Sequence, residues 1–110
     1  QYQVARNGWN ADYNDATTFL DLVRCDSDQN DQQYCNKKVD ELMAQGNQQT
    51  DQAKRKALMT QASKLAMDDY PLIPLYQYVQ ARTVKPYVGG YYTTNSFDRF
   101  RTSDFYIIKK

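Results

Sequence analysis

The sequence predicts a mixed fold of the α/β or α+β kind. Two long helical patterns, at about 36–45 and 51–67, occupy the middle of the chain. Extended, strand-like runs flank them, at 2–6 on one side and 72–79 on the other. Helices alternating with strands bury their apolar faces in layered architectures of this type.

The elements follow in order. Residues 2–6 (Tyr-Gln-Val-Ala-Arg) alternate weakly and predict a strand, which Asn7-Gly8 breaks. Trp9 to Asn14 reads as a loop, after which Asn14 or Asp15 can cap a short helix by accepting a free backbone N–H. Phe19, Leu20 and Val23 share one face of it. The next helix is predicted from Asn36 to Gln45, with Val39, Leu42 and Met43 at i, i+3, i+4 spacing and Gly46 as its stop.

The third helix, Asp51 to Met67, is the clearest. Thr50 is its expected cap, and Asp51 suits the positive end of the helix dipole. Ala53, Ala57, Leu58, Ala62, Leu65 and Ala66 form its expected apolar stripe, and the basic run Lys54-Arg55-Lys56 its solvated face. Pro71 disfavours helix before it, so the helix ends at Asp68-Asp69-Tyr70. Leu72 to Val79 predicts a strand with Pro74 at an edge or bulge. Arg82 to Tyr87 could extend it, and Gly89-Gly90 reads as a turn. Residues 91–104 are polar and aromatic without period, and Phe105 to Ile108 form a last short strand. A long irregular stretch of this kind is expected to pack on something outside the chain.

Composition narrows the function. The 110 residues suffice for one modest domain, and the 41% hydrophobic and 25% charged fractions are those of a folded soluble protein. Fourteen basic residues against thirteen acidic ones leave a net charge of +1, which provides no field for nucleic acid or an anionic membrane. Arg99, Phe100, Arg101 and Tyr106 only faintly resemble the basic-aromatic pattern of a strand-binding groove. No apolar run reaches the ~20 residues of a membrane span, so no direct membrane insertion is expected. The ten tyrosines suit a partly wet binding surface, although tyrosine is also a common strand residue. The chain opens on Gln1-Tyr2-Gln3-Val4 without an initiator Met, and is expected to be a portion of a larger protein.

The absence of histidine removes the commonest general base and the commonest metal ligand. No nucleophile elbow, phosphate-cradling glycine loop or spaced metal-ligand set occurs. Carboxylate pairs at Asp12 and Asp15 or at Asp68 and Asp69 read more simply as loop, cap and helix-end residues. No catalysis, cofactor or metal is therefore expected. Cys25 and Cys35 bracket a polar loop and admit two readings. Either they close it as a local disulfide worth ~3 kcal/mol in an oxidising compartment, or they are free thiols in a reducing one.

One stretch is distinctive: Ala5-Arg6-Asn7-Gly8-Trp9-Asn10-Ala11-Asp12-Tyr13-Asn14-Asp15-Ala16-Thr17-Thr18-Phe19-Leu20. It resembles the strand end, G-W-x-A-D-Y-N motif and T-x-F-L helix start of the periplasmic oligopeptide-binding proteins of bacterial ABC importers, the OppA type. The run from Pro74 to Tyr91 is similar to that family's P-x-Y-x-Y-V-x-A-R-x-V-K-P-W-V-G-G-Y segment. Tyr106-Ile107-Ile108-Lys109-Lys110 is similar to its closing strand. The order and spacing of all three agree, and the resemblance covers essentially the whole chain. The family's murein-peptide-binding relative is equally close.

The resemblance implies an α/β fold, the C-terminal portion of a two-lobed, hinged binding protein. Residues 1–80 would belong to one lobe, and residues 81–110 would cross over near Gln80-Ala81 and return to a missing N-terminal lobe. It implies a solute-binding protein of the periplasm that takes short peptides and hands them to a membrane permease. Asp12 would pair with the peptide's free α-ammonium, a charge-assisted contact that reads no side chain. Arg6 would lie near the ligand's carboxylate end, where a guanidinium can bind bidentately. Gly8 would lie where backbone pairs with the peptide by strand addition. Trp9 would wall a side-chain pocket, Tyr78 would bring a hydroxyl to the ligand backbone, and Tyr76 would pack in the core. Gln29 and Asn30 match a loop whose amides contact the peptide main chain. Asn10 stands where the family often has a cysteine, so that bridge cannot form here. Other solutes of the family (a murein tripeptide, haem or a nickel complex) and a tyrosine-rich protein-interaction module are the alternatives.

Overall fold

The computed structural model describes residues 3–95 and 97–108. The chain divides into two compact units, Gln1–Pro74 and Leu75–Lys110. The crossover expected at Gln80-Ala81 therefore falls within the second unit.

The first unit is helical. Helix α1 (Thr17–Leu20) continues as a 3-10 turn over Asp21–Val23. The Asp15 carboxylate starts it, accepting the Thr17 N–H at 2.9 Å and the Thr17 hydroxyl at 2.7 Å. Cys25 and Cys35 are joined in a disulfide, their Cα atoms 4.4 Å apart. The loop between them is organised around buried Asn30, whose amide donates to the carbonyls of Arg24 (3.0 Å) and Tyr34 (2.6 Å) and accepts the Tyr34 N–H (3.1 Å).

Helix α2 (Lys37–Asn47) is capped by Asn36, which accepts the Lys38 N–H at 3.0 Å. Helix α3 (Gln52–Asp68) is capped by Asp51 rather than Thr50, its Oδ1 accepting from Ala53 and Lys54. Satisfying two orphan N–H groups with a carboxylate also complements the helix dipole. The two helices pack against each other. Their shared core holds Leu20, Val23, Val39, Leu42, Met43, Met59, Ala62 and Ala66. Val39 is completely buried, and burying a side chain of this class contributes about 1.5–3 kcal/mol.

Several expectations are corrected. Gly46 does not stop α2 but is buried inside it, where a Cβ would come within 2.7 Å of Met59 Cε. A side chain there would displace the flexible end of Met59 on α3. Ala53 and Ala57 are exposed, and Met59 is buried instead. Alanine carries too little apolar area to decide which helix face turns inward, whereas Leu58, Met59 and Leu65 do decide it. Arg55 is not a solvated member of its basic run, because it forms an ion pair with Asp15.

The strand expected at 2–6 does not form over residues 3–6, and Tyr2 lies outside the described residues. Residues 72–85 run without regular structure, so the strand expected at 72–79 is missing too. A strand needs a hydrogen-bonded neighbour, and among the described residues neither segment has one. Leu75 is 79% exposed and Val79 is 91% exposed. Tyr76, expected in the core, is 66% exposed.

In the second unit, β1 (Val88–Gly89) pairs antiparallel with β2 (Tyr106–Ile107), Val88 opposite Ile107 and Gly89 opposite Tyr106. Lys109 and Lys110 of the expected closing strand lie outside the described residues. Gly90 has φ +86°, and a Cβ there would sit 1.9 Å from the Asp104 carbonyl oxygen. Only glycine meets both conditions. The stretch expected to be structureless instead gathers Tyr91, Tyr92 and Phe105 around Phe100, with ring centroids 5.1–5.8 Å apart. Arg82 lies over the Phe100 ring and grips Asp98 through two hydrogen bonds.

Candidate functional site

The loop between residues 7 and 16 carries three of the predicted site residues, Gly8, Trp9 and Asp12, and α1 holds it through Thr18. Thr18 is 2% exposed, yet its hydroxyl reaches back along the chain. It accepts the indole Nε1–H of Trp9 at 3.2 Å and the backbone N–H of Asp12 at 3.2 Å. Asn7 turns the loop entrance by accepting the Gly8 N–H at 2.7 Å. Its amide also donates to Asp31 at 3.2 Å, linking this loop to the disulfide loop.

The far end is anchored to α3. Arg55 binds Asp15 bidentately, with Nη1 2.8 Å from Oδ2 and Nη2 2.9 Å from Oδ1. That guanidinium, helped by the Thr17 N–H, holds the Asp15 carboxyl down to about 2. The pairing in turn pushes the Arg55 guanidinium further up.

Neighbouring acids are occupied. Asp21 pairs with Arg24 at 2.8 Å, Asp40 accepts the Cys25 N–H, and Asp69 accepts the Tyr34 hydroxyl at 2.6 Å and the Asn36 amide at 2.8 Å. Asp12 differs. Its side chain is exposed, and among the described residues the carboxylate has no hydrogen-bond or ion-pair partner. The backbone fixes its position while the charge faces solvent, so it is available to an incoming cation.

Arg6 and Gly8 are exposed on the segment entering the loop, and Trp9 is half-buried over Thr18. Gln29 is exposed, with its backbone N–H held by Ser27 at 3.2 Å. The Asn30 amide is used within its own loop and thus shapes the backbone around Gln29. Tyr78 belongs to the second unit, where it meets Tyr76 edge-on at 5.3 Å and is 48% exposed. Cys25 and Cys35 close the disulfide loop.

Sequence reading missed Thr18 and Arg55. Both act across gaps in the sequence, Arg55 over forty residues, and no local pattern marks them. Among the described residues, no group of three or more His, Cys, Asp or Glu side chains is placed to hold a metal ion. No helix among them is long and apolar enough to cross a membrane.

No protein-family profile matches the chain. The periplasmic oligopeptide-binding protein OppA of Escherichia coli is 42% identical over 108 residues, which is 98% of this chain and 20% of that protein. The E. coli murein peptide-binding protein MppA is 32% identical over 98% of the chain and 20% of its own length. E. coli YgiS, described as a probable deoxycholate-binding periplasmic protein, is 38% identical over 96% of the chain and 20% of its own length. A solved structure of Burkholderia pseudomallei OppA superposes with a TM-score of 0.85 at 58% identity, covering 94% of this chain and 21% of that one. The chain thus spans about a fifth of the length of the relatives it matches. Its helices and short sheet correspond to a portion of a two-lobed α/β binding protein. Through this agreement in sequence and fold, the chain belongs to the OppA-type family of periplasmic oligopeptide-binding proteins.

Proposed function

We propose that this chain supplies part of the binding surface of an extracytoplasmic solute-binding protein, which captures short peptides in the periplasm and delivers them to an ABC import permease. No chemical step is assigned to it. The observation that carries the reading is the Asp12 carboxylate, held by its backbone and left without a partner among the described residues while the acids around it are engaged. In this reading it meets the peptide's α-ammonium. Arg6 serves the carboxylate end, Gly8 pairs main chain with main chain, Trp9 walls a pocket, and Tyr78 and Gln29 contact the ligand backbone. Asn30 keeps its place in the binding loop by ordering it. The Cys25–Cys35 disulfide fits an oxidising compartment. Residues from Gln80-Ala81 onward cross to the other lobe, and the remaining four-fifths of the protein completes the cleft.

Calorimetry on the full-length protein tests this. Peptides with a free amino terminus bind, and both N-acetylation and Asp12→Asn weaken binding by about a hundredfold, the scale of a lost buried charge-assisted contact. Equal affinity for acetylated and free peptides would remove Asp12 from its role.

A second reading follows from the likeness to YgiS, whose name assigns it deoxycholate. There the same loop takes a non-peptide solute, and a ligand panel containing peptides and bile acids separates the two.

A further inference from the structure

We propose that Thr18 is a positioning residue for ligand capture: its one buried hydroxyl fixes the Trp9 ring and the Asp12 backbone in a single geometry. This rests on the reading of Asp12 given above. The hydroxyl accepts both N–H groups at 3.2 Å from a side chain that is 2% exposed, so water does not substitute for it readily. A hydroxyl has two lone pairs, and these two donors occupy them. The loop from Trp9 to Asp12 carries no backbone–backbone hydrogen bond of its own among those described, which leaves the Thr18 clasp as its internal restraint. Asp15 and Arg55 anchor the loop farther on, beyond the residues that would touch a ligand.

The consequence is specific. Charge-assisted contacts depend steeply on geometry, so freeing the Asp12 backbone reduces what its carboxylate contributes even though the carboxylate remains. The indole is released at the same time, because both donors share one acceptor.

The test uses the full-length protein with two peptides of one sequence, one free at its amino terminus and one acetylated. Thr18→Val keeps the shape and removes the acceptor. Its preference for the free peptide is expected to fall about tenfold, the factor that losing one satisfied part-buried donor produces. Thr18→Ser keeps the hydroxyl and is expected to retain the preference. Thermal unfolding runs in parallel. A Thr18→Val protein that keeps the wild-type preference overturns the proposal, as does one that binds both peptides equally less well. Should the valine variant fail to fold, Thr18→Ala replaces it, and an unchanged preference there also overturns the proposal. Asp12→Asn is the separating control. If it leaves the preference intact, the reading of Asp12 fails. If it abolishes the preference while the Thr18 variants do not change it, only the positioning role fails.

Discussion

Removing the charge of Asp15 tests how firmly the binding loop is moored. Asp15 accepts from Arg55 through both oxygens and from the first turn of α1, and its carboxyl is held at about 2 against an ordinary 3.8. If carried over entirely, that difference corresponds to about 2.4 kcal/mol of stability at neutral pH. The side chains are 29% and 21% exposed, and solvent screening brings the expectation to about 1–1.5 kcal/mol. The sign follows from the direction. The folded pKa lies below the unfolded one, so the contribution is fully present above about pH 5 and is lost as pH falls through 4 toward 2. Asp15→Asn keeps a cap acceptor and deletes the charge. Denaturant unfolding of wild-type and variant protein at neutral pH should differ by that amount, and the curves should converge near pH 2. A gap that persists unchanged at pH 2, or none at neutral pH, would refute the assignment of a working ion pair.

Two further outcomes follow from the first unit. Reducing the disulfide, or replacing both cysteines with serine, should destabilise the chain by about 3 kcal/mol on the loop-entropy account for a separation of ten residues, read by denaturant midpoint. The Tyr34 phenol is pushed up to about 12, first by burial and then by the Asp69 carboxylate that accepts its proton. Its raised pKa favours the neutral form, so this stability is present below pH 10 and fades as pH climbs toward 12. Difference absorbance titration against Tyr34→Phe should show one tyrosine ionising late, and a midpoint near 10 would contradict the structure.

Legibility in the sequence tracked locality. Helices α2 and α3 could be read because caps and apolar spacing act over a few residues: Asn36, the Asp51 region, and Val39-Leu42-Met43. Gly46 misled because a glycine that admits a neighbouring helix looks the same in sequence as one that ends its own. The strand expectations at 2–6 and 72–79 rest on local alternation and residue type, and a strand exists only where a second strand meets it. Within the chain that condition holds at Val88–Gly89 and Tyr106–Ile107, where Gly90 permits the approach. For the site, the G-W-x-A-D motif pointed to Asp12 by resemblance. What holds Asp12 in place, a buried threonine hydroxyl six residues on, leaves no signature beyond a polar residue on an apolar face.

The bare stretch after α3 has a consequence for handling and evolution. From Tyr70 to Ala81 no side chain carries a charge, and Ile73, Leu75, Tyr76 and Val79 are each more than half exposed. Pro71 and Pro74 protect only its beginning, whereas Leu75-Tyr76-Gln77-Tyr78-Val79-Gln80-Ala81 has neither proline nor charge until Arg82. Such a window has the composition of a self-stacking cross-β segment. Wherever it is left uncovered, copies of the chain will recruit one another. A charged substitution at Gln77 or Gln80 would act as a gatekeeper and keep the polypeptide dispersed.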